Sequence, residues 1–362
     1  MITAHQVSGS RPISLCLINH NGAAHLIHSL GAVRRSNLRF AEVILVDNGS
    51  TDHSRALVEQ CYPEVQMLTL DHNDGPAAAR NAGFRLARHD LILFVDNDVA
   101  IAPDCAFQLR TALGSRPGVV AAMPRVLHAH QRNIIQYEGA DCHFLGHMIP
   151  RCCETPQEAA PREIVEVTSM VTACFLFDRS VWGEDPPFDP SFVFNYEDHD
   201  LGVRSRVRGH QLLAVPPALC LHGTGTPGLS HRPGGQHSDL RVYCLMRNRW
   251  RIMLHCFAVR TLLLLAPVLL LFELFQLAGC LRRGWLGIWL RAVSWMISHP
   301  GRTLERRRQV QQTRRTPDRA VLRGGDIPFS RGLARSWVER AACGGLNRLC
   351  AGYWQLIQGW IS

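Results

Sequence analysis

Between Pro12 and Val95, short unbroken apolar runs alternate with longer stretches of helical spacing. The runs are Pro12–Ile18 (PISLCLI), Glu42–Val46 (EVILV), Val65–Leu70 and Leu91–Val95 (LILFV). An apolar run without alternation, bounded by polar residues, marks a strand covered on both faces. Helices are expected over Ala23–Arg35, over a stretch ending near Cys61, and over Gly75–Ala87, with Ser50 or Thr51 capping the second. Strands alternating with helices predict an α/β fold built on a doubly wound, mostly parallel sheet. Further along, Ile101–Ala112 is expected to be helical with Pro103 near its start. Strands are expected at Val119–Met123, at Thr168–Phe177 and from Val215 to His222. The stretch from Leu127 to Glu166 is poorly patterned and reads as loops and irregular strands; its Cys and His do not have metal-ligand spacing.

Ligands of such sheets sit beyond the carboxyl ends of the strands, so the residues just after each run are the candidates for chemistry. The fourth run leads straight into Asp96-Asn97-Asp98. Acids at i and i+2 of a strand end point the same way and repel unless a cation lies between them. Mg²⁺ or Mn²⁺ suits oxygen ligands so placed and commonly shares its shell with substrate phosphates. The same residue types also suit a solvated turn. The second run ends in Asp47-Asn48-Gly49-Ser50-Thr51-Asp52 on the same edge. A second acid cluster, Glu197-Asp198-His199-Asp200, comes after the aromatic run Phe188–Tyr196. Acids suit a helix N-terminus, and a carboxylate in an apolar cleft also suits a general base, because burial raises its pKa. Asp200 is spaced to pair with Arg204.

The order and spacing of Ile13–Asn21, VILVDNGSTD at Val43–Asp52, NDGPAAARNAG at Asn73–Gly83, Phe94–Asp98, and EDHDLGVR at Glu197–Arg204 resemble the family 2 glycosyltransferases of the GT-A fold. That resemblance implies a nucleoside-diphosphate sugar donor. It implies that Asp47, with Asn48 beside it, holds the base or ribose, and that Arg80 lies near the diphosphate. Asp96 and Asp98 are implied to hold ribose and the metal–diphosphate, with His222 completing the metal shell. By the same resemblance Asp198 is the general base and Glu197 binds or supports the acceptor. Arg247, in the Arg-Asn pair near the end of the catalytic part, is implied to meet diphosphate or acceptor. A sugar-phosphate nucleotidyltransferase would want a Gly-rich, basic loop after the first strand, where this chain has Asn19-His20-Asn21-Gly22. An inactive sugar-nucleotide binding or scaffold protein would be expected to have lost an acid from one cluster, and all are present.

After Arg260 the pattern changes. Leu262–Leu281 carries ten Leu and two Phe, long enough to span a bilayer, but it also contains Pro267, Glu273 and Gln276. An apolar residue contributes only about −0.3 to −0.6 kcal/mol to insertion, whereas a central charge costs about +2.5 to +3.5 kcal/mol. Glu273, Gln276, Cys280 and Arg283 share one helical face, which favours a helix lying in the interface over a span. A buried helical subdomain is the alternative. Trp285, Trp289 and Trp295 suit interfacial anchoring. The net charge of +9 comes from 39 basic residues, all Arg, and between Arg282 and Arg323 the acids are Glu305 and Asp318 alone. Such a basic region suits an anionic leaflet, and no nucleic-acid motif accompanies it. The expected division is therefore a catalytic domain over residues 1–258 and a helical, membrane-proximal region over 259–362, at the cytoplasmic face of the cell membrane. A glycan or lipid-linked acceptor fits that place. Thirteen Cys without paired spacing read as reduced thiols. The polar start, Met1–Arg11, lacks a signal-peptide core. Leu333–Ile361 is a further amphipathic stretch.

Overall fold

In the computed structural model, residues 11–223, 238–327, 329 and 336–361 are described. The start before Arg11, Thr224–Thr226 of the loop after His222, and 333–335 lie outside them. The four apolar runs form β1 (Ile13–Asn19), β2 (Glu42–Asn48), β3 (Gln66–Leu70) and β4 (Leu91–Asp96). They pair in parallel in the order β3-β2-β1-β4. Helices α1 (Ala23–Arg34), α2 (Ser54–Cys61) and α3 (Pro76–Leu86) connect them. The start of α2 differs from expectation. Asp52 accepts from the Ser54 amide at 3.0 Å, while the Ser50 hydroxyl accepts from the Asn21 amide at 2.9 Å. The expected cap residue thus ties two strand-end loops together.

Beyond Asp96 the sheet becomes mixed. Next in the chain are β5 (Val99–Ile101), α4 (Cys105–Leu113) and β6 (Val119–His128). The poorly patterned stretch holds five short strands, β7 (Gln131–Tyr137), β8 (Ala140–His143), β9 (Met148–Pro150), β10 (Thr155–Pro156) and β11 (Val165–Val167). Its irregular pattern comes from short lengths and shared duty between two sheets. β12 (Cys174–Asp178) lies between β4 and β6, antiparallel to both. It starts later than the apolar pattern, and Thr168 ahead of it donates to Asp141. After α5 (Arg179–Trp182) and α6 (Glu197–Val207), β13 (Gln211–His222) runs parallel to β6 and returns against β5.

The C-terminal part is α7 (Asp239–Cys256), α8 (Val259–Arg283), α9 (Leu286–Ser298), α10 (Pro300–Gln312), α11 (Asp318–Val321), β14 (Leu322–Arg323) and α12 (Trp337–Ile357). One apolar core joins Phe192, Tyr196 and Val203 to Ile252, Leu265, Val310 and Trp354, and β14 pairs with β8. The division expected at 258/259 is therefore crossed by a common core.

Among the described residues α8 alone is long and apolar enough to cross a membrane, and 22% of its apolar stretch is buried inside the protein. Glu273 does not interrupt the outer face. It turns inward to Arg249 and to the Trp250 indole N–H of α7. The outer face is a stripe of Val259, Leu263, Leu270, Leu274 and Leu281, all exposed.

Candidate active site

The carboxyl ends of β1, β2 and β4 are cross-linked by short polar side chains. Asn19 Nδ2 donates to Asp47 Oδ1 at 2.9 Å, the Ser50 amide donates to Asp47 Oδ2 at 3.1 Å, and Asn97 Nδ2 donates to Asn19 Oδ1 at 3.0 Å. Asp47 is fully buried with both oxygens bonded inside the protein. Expected at the base or ribose, it is placed to shape the loop. Its neighbour Asn48 donates to Asn73 and to the Gly75 carbonyl, and its own Oδ1 is buried without a partner.

Asp98 and His222, which the resemblance assigns to one metal shell, lie side by side. β5 and β13 pair at Val99 and His222, which brings His222 Nε2 to 3.3 Å from Asp98 Oδ1. His222 Nδ1 lies 2.7 Å from Gln136 Oε1. A carbonyl oxygen only accepts, so Nδ1 donates to Gln136, and a hydrogen bond from Nε2 to Asp98 requires the imidazole to carry protons on both nitrogens. Burial works against a charged imidazole here, but the hydrogen bond to Asp98 and the charges of Asp98 and Asp96 raise its pKa overall. Among the described residues no three His, Cys, Asp or Glu side chains converge closely enough to hold an ion by themselves. One carboxylate and one imidazole nitrogen, with Asp96 nearby, nevertheless fit an ion that takes its remaining ligands from substrate phosphates.

Arg80 joins the two acid clusters. Its side chain is buried, and Nη2 donates to Asp96 Oδ1 at 2.8 Å and to the Thr172 carbonyl at 3.1 Å. Nη1 donates to Glu197 Oε1 at 3.3 Å. Placed by sequence at the diphosphate, Arg80 is thus a bridge from the end of β4 to the start of α6. Burial raises the Asp96 pKa, with Arg80 opposing and Asp98 adding to the rise. Burial likewise raises Glu197 against the pull of Arg80. Asp198 is pushed up to about 7, by burial first and then by the charge of Glu197. Asp200 pairs with Arg204 Nε at 2.6 Å, as its spacing predicts, and braces α6.

The segment that delivers Glu197 and Asp198 is strained. Val193, Asn195 and Tyr196 have φ of 62°, 56° and 70°, a region that costs an L-residue about 1–2 kcal/mol. Gly75 lets α3 approach it; a Cβ there would stand 2.2 Å from the Val193 carbonyl oxygen. Asn81 brackets the segment's start, donating to the Phe188 carbonyl at 2.8 Å and accepting from its amide at 3.0 Å. Arg247 also belongs here. Its Nη2 donates to the carbonyls of Ser191 and Phe192 at 3.2 and 3.0 Å, which places it with this loop rather than with the Asp-x-Asp. Asn248 Nδ2 lies 3.1, 3.1 and 2.7 Å from the carbonyls of Phe192, Phe194 and Asn195. The sequence alone does not single out Asn19, Asn81 or Asn248, although each sits inside or beside one of its motifs.

A mixed sheet with nucleotide-type loops on its carboxyl edge, acids at two strand ends and an acid pair opening a facing helix defines a GT-A glycosyltransferase fold. Residues 14–149 match the model of Glycosyl transferase family 2, and this stretch is similar to that family. An uncharacterized glycosyltransferase of Haemophilus influenzae is 34% identical over 95 residues, 25% of this chain and 38% of that one. The N-acetylglucosaminyl-diphospho-decaprenol L-rhamnosyltransferase of Mycobacterium tuberculosis is 26% identical over 261 residues, 65% of this chain and 85% of that one. Among solved structures, GalNAc-T7 with UDP, GalNAc and Mn²⁺ superposes with a TM-score of 0.56 at 18% identity, covering 70% of this chain and 49% of that one. The last likeness speaks to the fold alone. The chain spans well under two thirds of both the Haemophilus relative and GalNAc-T7.

Proposed function

We propose that the protein is an inverting glycosyltransferase. It moves a sugar from a nucleoside-diphosphate sugar to a hydroxyl of a glycan or lipid-linked acceptor. The observation that carries this reading is the meeting of two acid clusters, one at strand ends and one on α6, at the buried Arg80. Asn48 accepts from the base or ribose with the atom it keeps unpartnered, and Asp47 holds the loop that presents it. Asp98 and His222, with Asp96 beside them, would hold Mg²⁺ or Mn²⁺, which when bound offsets the charge developing on the departing diphosphate. Asp198 takes the proton of the acceptor hydroxyl; a pKa near 7 suits a base at neutral pH. The hydroxyl oxygen bonds to the anomeric carbon as the bond to the diphosphate oxygen breaks on the opposite face, which inverts the centre. Glu197, fixed by Arg80, orients the acceptor.

One relative supports the acceptor class: the mycobacterial relative's name specifies a diphospho-decaprenol carrier. Contact with a membrane surface is supported by the apolar stripe of α8 and by the exposed Leu349, Leu356 and Trp360. Because Glu273 and its partners fill the opposite face, α8 lies in the interface rather than spanning. Nucleotide release from a panel of UDP-, GDP- and dTDP-sugars, with and without Mn²⁺ and with a membrane extract as acceptor source, tests the transfer. Release with one donor class that needs the cation is expected; no release from any donor sinks the reading. High salt should extract the membrane-bound protein only in part and detergent fully.

A further inference from the structure

The loop Ser191–Tyr196 brings the acid pair into place in a conformation its own residues resist, since none of Val193, Asn195 and Tyr196 is glycine. Its support comes from one face of α7. Asn248 is fully buried, and its amide nitrogen is shared among three loop carbonyls. Arg247 Nε donates to Asn248 Oδ1 at 2.9 Å and so fixes which way that amide points. Arg251 reaches the Ser191 carbonyl at 2.9 Å and the Ser191 hydroxyl at 2.5 Å. The support continues outward. Arg247 and Arg251 both lie over the Trp295 ring of α9, at 5.1 and 5.2 Å. Asp189, at the head of the loop, is 3.5 Å from Arg251 and 3.4 Å from Arg306 of α10.

We propose that Asn248, with Arg247 and Arg251, is a clamp that positions Glu197 and Asp198, and that Trp295 braces this clamp, so that the C-terminal helices are part of the acceptor half of the site. The physical basis is the carbonyl count. The carbonyls of Ser191, Phe192, Phe194 and Asn195 take donors from α7, and a buried carbonyl left without one drives the backbone to rearrange. A left-handed residue released from such restraint returns to the right-handed region. The acids that come after it then shift, and a displacement of about 1 Å at a reacting group costs on the order of 100-fold in rate. The clamp itself needs no chemistry; its effect on turnover rests on the reading of Asp198 as base.

The test uses the full chain as Asn248→Leu, Trp295→Ala and Trp295→Phe. Amide hydrogen exchange is measured across residues 192–198 without substrate, and transfer kinetics are measured with the donor that the unaltered chain turns over. Asn248→Leu and Trp295→Ala should raise exchange in 192–198 by about tenfold or more while β1 and β4 stay protected. They should lower kcat by about 100-fold with the donor KM unchanged, and move the acidic limb of the pH profile toward ordinary carboxylate values. Trp295→Phe, which keeps a ring under both guanidinium groups, should restore most of each. Unchanged exchange in the loop, exchange raised equally throughout the sheet, or Trp295→Phe as impaired as Trp295→Ala would each overturn the clamp. Failure of the underlying reading looks different: Asp198→Asn would keep full transfer.

Discussion

The donor edge and the acceptor edge of this site draw on different parts of the chain. Asp47 is held by Asn19 and Ser50, from the neighbouring strand end and its own loop. Glu197 and Asp198 come after a loop whose carbonyls are bonded by side chains 53 to 60 residues further on. The first edge is a property of the parallel sheet and persists wherever β1, β2 and β4 pair. The second depends on helices that the sheet does not specify.

The contrast is broken most severely at Asp98. Asp98→Ala should abolish turnover and remove the cation-dependent part of donor binding, while the loop before α6 is untouched. Calorimetric titration of donor with and without Mn²⁺ measures this, and metal-dependent binding that survives would refute the assignment. Next in size is Asp198→Asn, which should leave donor affinity nearly intact and lower transfer by about 10²–10⁴-fold. If Glu197→Gln is the dead variant and Asp198→Asn the active one, the base is the other carboxylate.

Arg80 serves both edges, so its loss should be felt as stability. Arg80→Met leaves Glu197 buried without its cation, which typically costs about 3–5 kcal/mol when one partner of a buried pair is removed. Denaturant unfolding at neutral pH should show it, with part of the loss recovered in acid as the abandoned carboxylates take up protons. A variant as stable as the parent at pH 7 would mean that the bridge does not bind the two edges.

The smallest effect is the pH response of Asp198. With its pKa raised from 3.8 to about 7, transfer should fall about tenfold per unit as pH drops below about 7, because the base is lost to its proton. Stability should run the other way. The folded chain holds that proton more tightly than the unfolded chain, so the contribution is present in acid and lost as pH rises through about 7. Both trends should be absent from the rate and melting profiles of Asp198→Asn.

The strand-end part of the donor edge is legible in the sequence because its parts are local. Four apolar runs become four strands, and the acids stand directly after them. The family resemblance pairs Asp98 with His222, and β5 against β13 brings them into contact. What stays hidden requires a distant partner. Arg80 is expected at the diphosphate because nothing in its own helix says that Glu197, 117 residues away, lies at its other end. Arg247 is assigned to substrate because a run of Arg and Asn on an amphipathic helix does not reveal which carbonyls it faces. Glu273 looks like an obstacle to membrane contact until Arg249 gives it an inward partner. The short strands of the stretch after β6 escape notice because strands of two to four residues have too few positions to show a period.

The separation of 53 to 60 residues between the strained loop and its donors sets an order of assembly. A chain emerging at about 5–20 residues per second exposes the loop roughly 3 to 12 s before the residues that satisfy its carbonyls have been made. Over that interval β1 to β4 are already complete and can pair, while the backbone before Glu197 has no reason to adopt its left-handed turns. Chains whose synthesis stops short of α7 therefore carry the strands of the donor edge without an ordered acid pair. The two halves of the site thus become ordered at different times in the life of the nascent protein.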